Sequence, residues 1–177
     1  MIGRINPKVE KAMREAMSHV AHVEADQIES ALGGLDDAER TEAIALSMAV
    51  VCYVMVDVCE MQWPNDASVR RIAEGLASVG TTAERLRLNA EEIYGYLSGS
   101  VMKAKPPEEV LEDAAQAGRL PIIVAQRAAV VYRPKDTHWW EYLDQIESAV
   151  EAAWALDPSV LPAAVMRAYL PKPATDA

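Results

Sequence analysis

The stretch that decides the fold is AIALSMAVVCYVMV at residues 43–56, an apolar run broken only by Ser47. Its apolar side chains cover all sides of a helix, and a helix of this kind has to be enclosed by other elements. We therefore predict an all-α, bundle-like fold around a central apolar helix at about residues 36–62. A buried oligomer interface is the alternative cover for this helix. The run is shorter than the roughly 20 apolar residues of a membrane-spanning helix, so no membrane partner is expected.

Capping residues, glycines and prolines divide the rest of the chain into further helices. The first is predicted from the Asn6 cap and Pro7 to Gly33-Gly34. Later helices are predicted at 67–79, 81–97, 107–118 and 120–132, after an Asp136 or Thr137 cap, and from Asp157-Pro158 to Pro171, with a loop at 98–106. The β-branched residues of 120–132 would also suit strands, but no other segment offers a sheet partner. The prediction is seven or eight helices in a single domain at 1–171, with a disordered tail at 172–177.

The composition indicates a globular and acidic protein. Of its 177 residues, 51% are apolar, which is more than a disordered acidic chain contains. The formal net charge is -10, from 17 basic and 27 acidic residues. This sign of charge opposes binding to nucleic-acid phosphates and to anionic membranes.

The two cysteines and the N-terminal residues indicate in which cellular compartment the protein is found. Cys52 and Cys59 are seven residues apart in one predicted helix, so they lie roughly 10 Å apart along its axis, too far for a disulfide. Two unpaired thiols suit a reducing cytoplasm, and residues 1–7 lack the apolar segment of a secretory signal. We therefore expect a cytoplasmic protein.

The first candidate site lies on the polar face of the predicted first helix. Spacings of three and four place five polar side chains along one side of it: Glu15, His19, His22, Asp26 and Glu29. Imidazoles and carboxylates are ligands for divalent metals, so His19 and His22 are weak metal candidates and the centre of a hypothetical metal- or small-ligand-binding enzyme. The ligand set is incomplete, since His138 is the one other histidine in the chain. We therefore predict no metal, no cofactor and no catalytic residue.

The second candidate site is the segment AERLRLNAEEI at residues 83–93, which is similar to the core of bacterial helix-turn-helix units. The small, apolar and capping positions of that pattern are filled by Ala83, Leu88, Asn89 and Ile93. The resemblance implies DNA binding through residues 81–97, with Arg85, Arg87 and Asn89 as the candidate contacts. Arg87 stands where glycine is usual, and the adjacent Glu91 and Glu92 carry the same sign of charge as phosphate. Nucleic acid is therefore the less expected partner.

The third candidate site is the segment 136–157, which holds six acidic residues and no lysine or arginine. The preceding segment 119–135 holds four basic residues and no acidic one, so the two segments either pair with each other or leave an acidic face for a basic partner. Trp139 belongs to the apolar stripe of this predicted helix, whereas Trp140 lies about 100° round it, beside the acids. The predicted partner-binding residues are Trp140, Asp144, Glu147 and Glu151, with Trp140 as the anchor.

These observations favour a non-catalytic, cytoplasmic protein that binds another protein through an acidic helical face. Inhibitors, immunity proteins, antitoxins and assembly factors of bacteria or phages have this general character, and the sequence does not choose among them. The alternatives are a helix-turn-helix regulator acting through residues 81–97 and the hypothetical enzyme centred on His19 and His22. A homo-oligomer is compatible with the sequence. Phosphate-binding loops and the common hydrolase motifs are absent from it.

Overall fold

The computed structural model describes residues 5–60, 62–79, 88–103, 105, 107–111 and 114–153. Within these ranges every regular element is helical, which confirms the all-α prediction. The helices are α1 (Pro7–Ala21), α2 (Ala25–Leu32), α3 (Asp37–Val58), α4 (Asp66–Ser78), α5 (Ala90–Tyr96), α6 (Pro107–Val110), α7 (Ala114–Val131) and α8 (Trp139–Ala153), with a π-helical segment at Leu97–Val101. The predicted last helix and the predicted tail lie outside the described residues.

The apolar run forms α3, which packs against α1, α7 and α8. Its start is fixed by a capping box, in which the Asp36 side chain accepts from the Glu39 N–H and the Glu39 side chain accepts from the Asp36 N–H. Leu46, Val50 and Val54 are fully buried, so the prediction of a central apolar helix is confirmed. The helix ends at Val58, four residues before the predicted end.

By length and composition α3 could cross a membrane, contrary to the estimate from residues 43–56 alone. Its 22 residues include an 18-residue window of high mean hydropathy, and 67% of that window is buried inside the protein. Ser47, the polar residue of the run, donates its hydroxyl to the Ala43 carbonyl 2.9 Å away and so is satisfied within the helix. These features are those of the core helix of a helical domain.

The predicted first helix is in fact two helices that pack against each other, α1 and α2. The chain leaves α1 through a Schellman motif, in which the Val23 N–H donates to Val20 O and the Glu24 N–H donates to His19 O. Val23 occupies the left-handed position with a φ of 65°. Glycine or asparagine usually fills this position. Because a valine stands there, the sequence did not predict that α1 ends before it.

Three further boundaries differ from the predicted ones. Helix α7 passes through Gly118 and Pro121 without a break, because the side chains around Pro121 are buried in the core and outweigh the lost hydrogen bond. The predicted loop at 98–106 is helical up to Lys103. Helix α8 starts at Trp139, two or three residues after the predicted caps, and the Glu141 carboxylate accepts from the His138 N–H at 3.1 Å.

Candidate functional site

Helices α1 and α8 run antiparallel along one side of the molecule. The Ile5 N–H before α1 donates to Glu151 Oε1 near the end of α8 at 3.0 Å. In the middle, Arg14 Nη2 lies 2.5 Å from Asp144 Oδ1. At the other end, the last turn of α1 and the first turn of α8 line one cavity. We call this line of polar contacts between the two helices the α1–α8 seam.

The cavity at the end of the seam has a volume of about 390 Å³. Its lining consists of Arg14, Ser18, Ala21 and His22 from the α1 side and of His138, Trp139, Trp140 and Leu143 from the α8 side. This volume falls within the range of small-molecule and side-chain binding pockets. The cavity therefore brings together two groups that the sequence analysis treated separately, the histidines of the first helix and the tryptophans of the acidic helix.

Trp140 stands at this cavity with an exposed fraction of 48%. Its ring stacks on the His138 ring, with 3.4 Å between the centroids and an angle of 19° between the planes. The adjacent Trp139 is half-buried and packs against the core. Among the described residues, the large apolar side chains that remain exposed are Val23 and Trp140.

Arg14 holds the middle of the seam together. Its guanidinium contacts three carboxylates, those of Glu10 on α1 and of Asp144 and Glu147 on α8. Sequence reasoning missed Arg14, although its four-residue spacings from Glu10 and Ser18 place it on the polar side of α1. Its acidic partners on α8 lie more than 100 positions away in the chain, and no local pattern could have assigned them.

The predicted acidic face is divided by this arrangement. Trp140 and Asp144 are exposed, as a docking surface requires, and the Asp144 side chain has an exposed fraction of 62%. Glu147 is buried, with 7% of its side chain exposed, and is therefore not available as a rim charge. Glu151 is half-buried and is occupied by the Ile5 N–H. This division follows from α1, because its Arg14 contacts Glu147 and the preceding Ile5 contacts Glu151.

Glu147 is the most perturbed carboxyl of the seam. Burial raises its pKa to about 7, and the hydrogen bond from Arg14 only partly opposes this rise. The neighbouring carboxylates of Glu10 and Asp144 add to the rise through charge repulsion. One oxygen, Oε1, is buried without a hydrogen-bond donor among the described residues.

The five-residue polar face of the predicted first helix does not exist as one face, because the chain turns between His22 and Asp26. His19 Nδ1 lies 2.6 Å from Glu24 Oε2, and His22 Nδ1 lies 2.8 Å from the Ser18 carbonyl. Both oxygens are acceptors, so the Nδ1 atom of each histidine is the donor in its contact. No cluster of three or more metal-ligating side chains occurs among the described residues.

The two cysteines and Asp57 lie on or directly after α3. Cys52 is buried, which raises the pKa of its thiol to about 12, and Cys59 is half-buried. Asp57, at the end of the apolar run, is exposed and accepts a hydrogen bond from the Tyr142 hydroxyl at 2.8 Å. Burial and this hydrogen bond both raise the pKa of Tyr142.

Of the helix-turn-helix candidate, the structure describes only the second half. Arg85 and Arg87 lie outside the described residues. Asn89 is the N-cap of α5 and accepts from the Glu92 N–H at 2.8 Å, so its side-chain oxygen already has a donor. Glu91 is exposed and lies 3.6 Å from Arg70 of α4. In the described half of this segment, the exposed Glu91 carboxylate thus partly neutralises the charge of Arg70.

Comparisons of the chain with protein-family models, with curated proteins and with solved structures found no significant match.

Proposed function

We propose that this is a non-catalytic, cytoplasmic protein that binds another protein through the cavity end of the α1–α8 seam, with Trp140 as the anchor. The observation that supports the proposal is the half-exposed Trp140 ring beside a cavity of about 390 Å³. Tryptophan is the residue type most enriched at the energetic centres of protein interfaces, because it offers a large apolar surface at a low cost in side-chain entropy.

Three features of this surface support the proposal. The stack on His138 restricts the Trp140 ring before binding, so less conformational entropy is lost in the complex. The adjacent cavity is large enough to accept one or two side chains of a partner. The exposed Asp144, together with the net charge of -10, favours encounter with a basic partner.

The decisive variant is Trp140→Ala. A partner is first captured from the native host with the full-length protein and purified, and its affinity is then measured by calorimetry. We expect Trp140→Ala to weaken binding by about 1–3 kcal/mol, since an anchor residue is removed from the interface. The thermal unfolding midpoint should change little, because Trp140 is 48% exposed and lies outside the buried core.

The matched control is Val23→Ala, which removes apolar surface from the other exposed large apolar residue among those described. Val23 does not line the cavity, so this variant should bind the partner as the unmodified protein does. An equal loss of affinity in the two variants, or no loss of affinity in Trp140→Ala, would show that the partner does not bind at the cavity end of the seam.

A second candidate function is the binding of a small ligand in the same cavity. It is favoured by the polar groups that converge there from both helices, namely Arg14, Ser18, His22 and His138. Ligand-observed NMR with a fragment library, repeated with Trp140→Ala, distinguishes this function from protein binding. Submillimolar fragments that compete with one another and lose affinity in the variant would favour the small-ligand site.

DNA binding through residues 81–97 stays a prediction. A gel-shift at low salt with host DNA fragments tests it, using Arg85→Ala and Arg87→Ala as the variants. We expect no shift, because the net charge of -10 and the exposed Glu91 oppose the approach of phosphates.

A further inference from the structure

The middle of the seam holds more negative than positive charge. Three carboxylates, Glu10, Asp144 and Glu147, surround the single guanidinium of Arg14. With all three ionised, the group would carry a net negative charge where α8 packs against α1. Carboxylates that share a site in this way disfavour one another's ionisation, so the least hydrated of them is expected to keep its proton to a higher pH than the others.

The geometry identifies Glu147 as that carboxyl. Asp144 and Glu10 are more exposed, so water stabilises their charges, whereas the side chain of Glu147 is 7% exposed. Glu147 Oε1 is buried without a donor among the described residues, and a buried oxygen without a donor is less costly when neutral than when charged. The charged groups that act on Glu147 are Arg14 and Glu10 from α1 and Asp144 from its own helix. Of the two helices against which α8 packs, α3 carries Asp57, which accepts from the Tyr142 hydroxyl, and α7 carries the buried Arg127.

We propose that the α1–α8 seam is a pH-responsive clasp, in which the buried Glu147 holds a proton and the loss of this proton at higher pH weakens the contact between α8 and α1. The folded chain then binds one more proton than the unfolded chain between the ordinary pH of glutamate ionisation and neutrality. Stability from this group is fully present below pH 4.5, declines as the pH rises, and is lost above about 7.

Urea unfolding of the full chain at about pH 5 and about pH 8 tests the clasp, with Glu147→Gln as the neutral mimic of the protonated side chain. Going from the lower to the higher pH, we expect the unfolding equilibrium constant of the unmodified protein to rise at least about tenfold more than that of Glu147→Gln. Glu91→Gln, an exposed carboxamide on α5, is the matched control and should keep the pH dependence of the unmodified protein. The same pH dependence in the unmodified protein and in Glu147→Gln would overturn the proposal.

A carbon-detected NMR titration of the Glu147 carboxyl gives an answer that does not depend on the folding of a variant. A midpoint near 7 supports the clasp, and a midpoint at or below 4.5 overturns it, because Glu147 would then be an ordinary ionised partner of Arg14. In Asp144→Asn one like charge is removed, so the same midpoint should move down.

Discussion

Helix α3 and the α1–α8 seam stabilise the same molecule by opposite means. From Ala43 to Val56, α3 is buried on nearly every side, and the hydroxyl of Ser47 is satisfied within the helix. The seam is a row of charged and polar side chains that bridge two helices, with one guanidinium among three carboxylates. The stabilisation from buried apolar surface does not depend on direction or pH. The hydrogen bonds and ion pairs of the seam depend on both. The core therefore fixes the fold, and we expect a change of pH to affect the seam more than the core.

The most direct test of this comparison is to place a charge in α3. Val54→Asp would bury an unpaired carboxylate in the core, since Val54 is 1% exposed. We expect a cost of several kcal/mol, on the order of the whole stability, and therefore an unfolded or aggregated protein. Circular dichroism during urea unfolding measures this. The same substitution at the exposed Val23 should leave the protein folded, and a cooperatively folded Val54→Asp protein would show that α3 is not the core.

The two regions also differ in how far the sequence predicts them. The apolar run at 43–56 and the capping box of Asp36 and Glu39 are local patterns, so α3 could be predicted with little error. Arg14 and Glu147 are 133 residues apart, and nothing in either neighbourhood indicates the other. The seam depends on how α1 is placed against α8, which tertiary packing decides. The acidic residues of α8 were thus recognised as a group, but their division into buried and exposed members was not predictable.

A smaller effect is expected from breaking the seam at its centre. Arg14→Met keeps most of the apolar volume of the side chain and leaves the buried Glu147 without its cation. We expect a loss of about 2–4 kcal/mol at alkaline pH, and less at about pH 5, where a protonated Glu147 no longer needs the cation. Urea unfolding at both pH values measures the difference.

Arg70→Met is the control for this variant. Arg70 also contacts two carboxylates, Asp66 and Glu91, but all three side chains lie at the surface. Surface ion pairs contribute little, so the loss is expected to be much smaller than that of Arg14→Met. Similar losses for the two variants would mean that Arg14 acts as an ordinary surface cation and that the seam is no different from the rest of the surface.

The smallest predicted effect is a gain in stability, at the turn that leads from α1 into α2 and sets the end of the seam. Val23 holds a left-handed backbone conformation, which costs a side chain with a Cβ branch on the order of 1–2 kcal/mol. Its side chain is 40% exposed, so little apolar burial compensates for this cost. In Val23→Gly the strain disappears, while the greater freedom of glycine in the unfolded chain offsets part of the gain. We therefore expect a net stabilisation of about 0.5–1 kcal/mol, measured as a higher midpoint of urea unfolding.

Lys11→Gly, at an exposed position inside α1, should instead destabilise the protein by about 1 kcal/mol. If Val23→Gly destabilises the protein as Lys11→Gly does, Val23 does not hold the left-handed conformation, and the turn beside the cavity has a different structure.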